Sequence, residues 1–169
     1  MTRWLGAALV VCGGLWLGLG RARWHQGRVK ALRALLLALD QLERDLRETA
    51  RPMADLLAGL AEPEGPLRAC FTECRAGLAD LEARSFEAVW TRAFRRAALP
   101  LAEEDLEPVL ALGRVLGRYD QESQRKAIQG AGQALGRSLD QALADRARLG
   151  RLDCVLGASA GLLAAILLL

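Results

Sequence analysis

The sequence contains a single histidine, His25, which limits the metal and catalytic sites that it can build. Cys70 and Cys74 lie four residues apart, so both thiols would lie on one face of a helix. A structural zinc site typically needs about four ligands, and no second cysteine pair or histidine pair supplies the rest. We therefore interpret the two cysteines as reduced structural thiols, keep redox sensing as the alternative, and expect no metal or other cofactor.

An excess of one sign of charge is also missing. The chain has 23 basic and 20 acidic residues, a net charge of +3 at pH 7. The two signs are interspersed along residues 21–153, which is typical of solvated helix surfaces and not of a nucleic-acid-binding face. The sequence therefore predicts no nucleic-acid partner.

Charged residues are absent from both ends of the chain. Residues 4–20, "WLGAALVVCGGLWLGLG", and residues 154–169, "CVLGASAGLLAAILLL", contain none. As helices these runs would be about 24–26 Å long, slightly short of the hydrocarbon core of about 30 Å. We predict that both are transmembrane helices. The arginines just inside them predict that residues 21–153 form a cytoplasmic domain and that both termini lie outside.

The first run has two alternative interpretations. Residues 1–3 resemble the n-region of a secretory signal peptide, and residues 18–20 could form its cleavage site, in which case the chain would be exported with its leader removed. The arginines from Arg21 onward argue against this. A lipoprotein signal at "LVVC" is disfavoured, because Val11 is bulky where such a site needs a small residue.

Glycine pairs with four-residue spacing lie within both runs. They are Gly14 with Gly18 and Gly157 with Gly161. Small residues at this spacing let membrane helices approach each other closely, although glycine is frequent in membrane helices in any case. We predict that the two runs pack on each other, with packing on other subunits as the alternative.

Strand-like alternation is absent between the runs, and apolar residues recur at three- and four-residue steps, the period of an amphipathic helix. We therefore predict an all-α, membrane-anchored bundle, in which two long helices form a hairpin and shorter helices are inserted at its far end. Turn signals divide the inserted region at Pro52, at residues 62–66 ("EPEGP"), at Ser85 and at Leu99-Pro100. The buried faces of the long helices are expected at Val29, Leu32, Leu35, Leu36, Leu39, Leu42 and Leu46, and at Ile128, Ala131, Leu135, Leu139, Ala142, Leu143 and Leu149.

Glycines also interrupt the last helix at Gly130, Gly132 and Gly136. Each costs about 1 kcal/mol relative to alanine in a helix interior. We expect close approach of a neighbouring helix to compensate.

The densest acids are Glu103, Glu104, Asp105 and Glu107. A membrane enzyme would need a polar pocket of this kind. Acids in the first turn of a helix are also favoured by its dipole, and we interpret these four as dipole partners.

The stretch "LGRYDQESQRK", residues 116–126, could be a catalytic cluster or a joint between helices. Gly117 is placed to end one helix, Asp120 to cap the next through the amide of Ser123, and Tyr119 to lie at the corner. Catalysis needs a base, a nucleophile and an orienting group in one pocket, and no histidine or lysine joins these groups. We interpret the stretch as a joint and predict that the chain is not an enzyme.

Several motifs occur in an order that resembles one family. They are "QLERDL" (41–46), Pro52 with Leu56 and Leu60, Trp90 in "EAVW", "LGRVLGRYDQESQ" (112–124) and "LGASAGLLAAILLL" (156–169). Leu116, Gly117, Asp120 and Gln124 fit its pattern LG-x-x-D-x-x-x-Q. Over nearly its whole length the chain resembles the stage III sporulation protein AB family of endospore-forming bacteria. Its abundant arginine and its cysteine pair depart from the family without touching a motif.

The resemblance implies a cytoplasmic helical domain similar to that of type II secretion platform proteins. It implies a platform or adaptor in a secretion-like channel complex between mother cell and forespore, located in the mother-cell (outer forespore) membrane. The implied partners are a secretion-type ATPase and other membrane components of the complex. Trp90, Gly117, Tyr119, Asp120 and Gln124 are candidate structural or interaction residues. The alternative functions are an interaction module of another membrane complex and an exported protein.

Overall fold

The computed structural model describes residues 2–48, 52–78, 85–116 and 120–168, with side chains described for residues 23–47, 52–78, 85–116 and 120–148. This part of the chain is helical and contains no strand, which confirms the predicted all-α class. The helices are α1 (Thr2–Glu48), α2 (Met53–Ala61), α3 (Arg68–Gly77), α4 (Phe86–Arg96), α5 (Glu103–Val115) and α6 (Gln121–Leu168).

Two long helices form the predicted hairpin. α1 has 47 residues and α6 has 48, so each is about 70 Å long. They run antiparallel. Gln129 of α6 donates a 2.7 Å hydrogen bond to Glu43 near the end of α1, whereas Val29 near its middle lines the same cavity as Arg146. The two uncharged runs therefore belong to the same end of the hairpin.

The four short helices connect the long ones. α2 packs on α1 and α3, α3 on α4, α4 on α5, and α5 on α6, so the core is enclosed by a ring of helices. As predicted, they are inserted where the long helices end, between α1 and α6. They also fold back along the hairpin, so that α5 begins beside Arg28, only eight residues after the end of the first uncharged run, where a buried ion pair joins Arg28 to Asp105.

The core contains the faces of the long helices that the spacing predicted. Five of the α1 positions are buried and two are half-buried. Of the α6 positions, four are buried and two are half-buried, and Leu149 lies outside the described side chains. The buried positions are Val29, Leu32, Leu35, Leu39 and Leu42 of α1, and Ile128, Ala131, Leu135 and Ala142 of α6.

An aromatic cluster forms the centre of the short helices. Trp90 packs against Phe94 with ring centroids 4.7 Å apart, and Phe71 meets Phe94 edge to face at 5.8 Å. Phe86 completes the cluster, which holds all three phenylalanines of the chain. The indole N–H of Trp90 donates a 2.8 Å hydrogen bond to the carbonyl of Val109, so its polar atom is satisfied inside the core.

Glycine permits close packing on the short helices and not on α6. A Cβ atom at Gly113 would lie 2.8 Å from the indole of Trp90, and one at Gly77 would overlap the side chain of Val89. The expected close approach at Gly130, Gly132 and Gly136 is wrong. A Cβ atom at any of these three meets nothing within 4 Å, because no neighbouring helix covers that face in the described part.

The turn signals mark the helix ends as predicted. The Ser85 hydroxyl accepts a 3.3 Å hydrogen bond from the amide of Ala88 and caps α4. Pro52 directly precedes α2, and its carbonyl accepts the amide of Asp55 at 3.0 Å. Beyond α4, Ala98 has a φ of 44°, a left-handed conformation that stops the helix before Pro100.

The described side chains form no helical segment long and apolar enough to cross a membrane. Residues 4–20 fall within α1 and residues 154–168 within α6, but their side chains lie outside the described part. The transmembrane prediction and the packing of Gly14 and Gly18 on Gly157 and Gly161 therefore stay predictions.

Candidate functional site

Asp120 caps the last helix, as predicted. Its carboxylate accepts a hydrogen bond of 3.3 Å from the amide of Ser123, and its carbonyl accepts the amide of Gln124 at 3.1 Å. Hydrogen bonds from the hydroxyl and the amide of Ser123 lower the pKa of Asp120. The Gln124 side chain is buried against the bundle. Gly117 and Tyr119 lie outside the described residues.

Trp90 is a core residue. It is 1% exposed, and its ring contacts Phe71, Phe86 and Phe94. A partner cannot touch it without opening the bundle. Trp90 can therefore affect an interaction only by fixing the positions of α4 and α5.

A buried ion pair joins α1 to α5, and sequence reasoning missed it. Arg28 donates two hydrogen bonds to Asp105, Nε to Oδ2 at 2.7 Å and Nη2 to Oδ1 at 2.9 Å. Arg28 is 6% exposed and Asp105 is completely buried. Asp105 also accepts the amide of Ala102 at 3.0 Å and a hydrogen bond from Ser138 of α6. One carboxylate therefore connects three helices.

The electrostatics of this pair favour the charged forms. Burial acts to raise the pKa of Asp105, but the hydrogen bonds from Arg28, Ala102 and Ser138 outweigh it and lower that pKa below its ordinary value. The hydrogen bond to Asp105 raises the pKa of Arg28. The ring of Trp24 lies 5.9 Å from the guanidinium carbon, within the range of a cation–π contact.

The acids around Asp105 do not converge on a pocket. Glu103 pairs with Arg95 at 2.9 Å, and Glu104 approaches Arg28 at 3.5 Å; both acidic side chains are more than 70% exposed. Glu107 is also exposed. The dipole interpretation fits Glu103 and Glu104, which lie in the first turn of α5, whereas Glu107 lies beyond that turn. For Asp105 the interpretation missed the ion pair. Within the described residues no group of histidine, cysteine or acidic side chains could hold a metal ion.

The cysteine pair lies in the core. Cys70 and Cys74 are both completely buried and unbridged. Burial raises the pKa of Cys70 to about 11 and that of Cys74 to about 12, so both thiols are protonated at neutral pH. A protonated, inaccessible thiol is a poor nucleophile and a poor metal ligand.

A groove of about 470 Å³ lies between α1 and the connection from α2 to α3. Leu37 lies in it with 68% of its surface exposed. The sequence did contain a signal for it, because Leu37 is a leucine off the buried stripe of α1. The lining residues are Lys30, Arg33, Ala34, Leu37, Ala38 and Gln41 of α1, Leu60 of α2, residues 63–67 between the helices, and Arg68 and Phe71 of α3.

The described part is an all-α domain in which a hairpin of two long helices is bridged by four short helices, with a charged pair in its interior. The chain belongs to the stage III sporulation protein AB family, whose sequence model matches residues 3–169. The predicted family resemblance is therefore confirmed.

Two relatives agree with this assignment. Stage III sporulation protein AB of Bacillus subtilis (strain 168) is 27% identical over 175 residues, which covers 100% of both chains. A solved structure of a stage III sporulation protein AB has a TM-score of 0.65 and 25% identity, and the similarity covers 72% of this chain and 98% of the solved one. Family membership supports a role in sporulation.

Proposed function

We propose that the chain is a non-enzymatic membrane platform in a channel complex between mother cell and forespore. In this role residues 21–153 form a cytoplasmic domain, residues 4–20 and 154–169 anchor it in the mother-cell membrane around the forespore, and both termini lie outside. The partners are a secretion-type ATPase and other membrane components of the complex. The domain is similar to that of type II secretion platform proteins.

The observation that carries this proposal is the antiparallel hairpin. Gln26 and Arg146 line one cavity, so α1 and α6 are neighbours at this level. The first uncharged run ends six residues before Gln26, and the second begins eight residues after Arg146. Two helices that are side by side so close to their uncharged runs can enter one membrane together from the same side.

The interior of the domain supports a mechanical role. The Arg28–Asp105 pair holds α1, α5 and α6 together close to the uncharged runs, and the aromatic cluster holds α3, α4 and α5. A platform has to keep its shape when a partner pushes against it. Buried hydrogen-bonded charges and close-packed aromatic rings are features that resist such deformation.

Co-purification from sporulating cells tests the proposal. The full chain carries a tag at its native locus, and membranes from sporulating cells are solubilised. The candidate ATPase and membrane components are then quantified in the eluate. A tagged bystander membrane protein of equal abundance is the control. We expect the ATPase to be enriched over the bystander. Equal recovery with both baits contradicts the proposal, as does recovery of the tagged chain from the medium.

A further inference from the structure

We propose that the groove between α1 and the α2–α3 connection binds an acidic amphipathic helix of a partner protein. This inference rests on the proposed adaptor role and adds the chemistry of one contact surface. It follows from the groove's apolar floor, its predominantly basic rim and its length.

The floor of the groove exposes apolar surface to solvent. Leu37 is 68% exposed, and the other large hydrophobic side chain exposed in the described part is Trp24, at 42%. Ala34 and Ala38 flank Leu37 on α1, and Phe71 lines the groove from α3. Because the alanine side chains are short, the floor leaves space for side chains of another molecule. Transfer of Leu37 from water into such a contact is favourable.

The rim of the groove is basic. Lys30 and Arg33 of α1 and Arg68 of α3 line it, and Glu64 is the single acid among its described lining residues. That acid lies 3.6 Å from Arg68 and partly neutralises it. Lys30 and Arg33 form no ion pair with any described side chain. Their positive charge favours a partner that brings carboxylates.

The basic surface continues beyond the groove. Lys30 and Arg33 also line an adjacent cavity of about 350 Å³, whose other described lining residues are Gln26, Val29 and Arg146. None of the described residues that line it is acidic. A bound segment therefore meets cations on α1 and then on α6 as it leaves the apolar floor.

The length of the groove suits a short helix. The face of α1 from Lys30 to Gln41 extends over about 16 Å, or three helical turns. Helices that bind in grooves insert apolar side chains from successive turns, at positions i, i+3 or i+4, and i+7. A three-turn helix with apolar anchors over Leu37 and acids beside Arg33 matches both the floor and the rim.

Site-specific photo-cross-linking in the full chain tests the inference. p-Benzoylphenylalanine replaces Leu37 at the native locus, cells are irradiated during sporulation, and the cross-linked peptide is mapped by mass spectrometry. We expect one helical segment of another protein, with apolar residues three or four apart and aspartate or glutamate beside them. Capture of a protein without such a segment at the cross-link overturns the inference.

Charge reversal makes the test specific. Arg33→Glu places an acid on the rim and should lower the cross-link yield at least about tenfold, because like charges oppose each other. Arg137→Glu makes the same change at an exposed position of α6 and should leave the yield unchanged. Replacing the mapped partner acid by arginine should restore the yield with Arg33→Glu.

Four other outcomes overturn the inference: cross-links only to a second copy of this chain, cross-links only to lipid, no cross-link at all, or an equal loss with Arg33→Glu and Arg137→Glu. Co-purification of the ATPase, measured in the same cells, separates the two proposals. If the ATPase is enriched while Leu37 cross-links to nothing, the groove proposal fails and the platform proposal stands.

Discussion

The buried Arg28–Asp105 pair should control the stability of the domain. Arg28→Met keeps the length and apolar stem of the side chain but removes its charge, so the completely buried Asp105 carboxylate loses two of its hydrogen bonds. Breaking a buried pair from one side costs about 3–5 kcal/mol. We expect about 3 kcal/mol, at the low end of that range, because 8% of the Arg28 side chain reaches solvent and the amide of Ala102 still binds Asp105.

The measurement is urea unfolding of the full chain, followed by far-UV circular dichroism and tryptophan fluorescence. A loss of about 3 kcal/mol should also lower the thermal midpoint by about 10 °C in a chain of this size. Glu104→Gln is the matched control, since it removes the 3.5 Å contact to the same arginine from a side chain that is 73% exposed. Exposed pairs contribute at most about 1 kcal/mol, so this variant should be close to the wild type.

A double-mutant cycle distinguishes the pair from the loss of two separate side chains. Arg28→Met combined with Asp105→Leu leaves no buried charge without a partner, so the double variant should be more stable than the sum of the single variants predicts. Strict additivity would show that the two residues act independently. Equal stability of Arg28→Met and Glu104→Gln would likewise refute the proposed importance of the pair.

Three further predictions follow from the structure and the sequence. The pKa of Asp105 is lowered in the folded chain, so the Asp105 carboxylate should stabilise the fold fully at any pH above the ordinary aspartate pKa of about 3.9. This stabilisation should decrease as the pH falls below that value. The free energy of unfolding of the wild type and of Asp105→Asn is measured against pH, and a difference that grows on acidification would contradict the prediction. Iodoacetamide at neutral pH should label Cys70 and Cys74 only after unfolding, because both thiols are buried and protonated; peptide mass spectrometry measures this, and labelling of the folded chain would contradict it. A reporter enzyme that is active only outside the cytoplasm should be inactive after Pro63 and active after Leu169, and activity after Pro63 would reverse the proposed topology.

Local patterns in the sequence were sufficient to predict the helices. Periodicity identified the buried faces of α1 and α6, and short-range capping signals at Ser85 and Asp120 identified where α4 and α6 begin. These features depend on residues three or four apart, so a single sequence is enough to recognise them. The same spacing placed Cys70 and Cys74 on one face of a helix, and both are buried.

The candidate site was harder to predict because it depends on distant neighbours. Arg28 and Asp105 are 77 residues apart, and each has a sufficient local explanation, as a membrane-flanking arginine and as a helix-dipole acid. The need for glycine likewise depends on the opposing side chain. Gly113 faces the indole of Trp90, whereas Gly132 faces open space, and nothing in the local sequence of either residue distinguishes them.

The pairing of α1 with α6 determines when the fold can be completed during synthesis. Glu43 binds Gln129, 86 residues later in the chain, and Arg28 binds Asp105, 77 residues later. Closing such long loops costs entropy before any contact stabilises them. While the ribosome is still making α6, the apolar face of α1 has no long partner and is open to chaperones and to aggregation. A premature stop within α6 should therefore produce a chain that proteases remove, even though every preceding helix has been made.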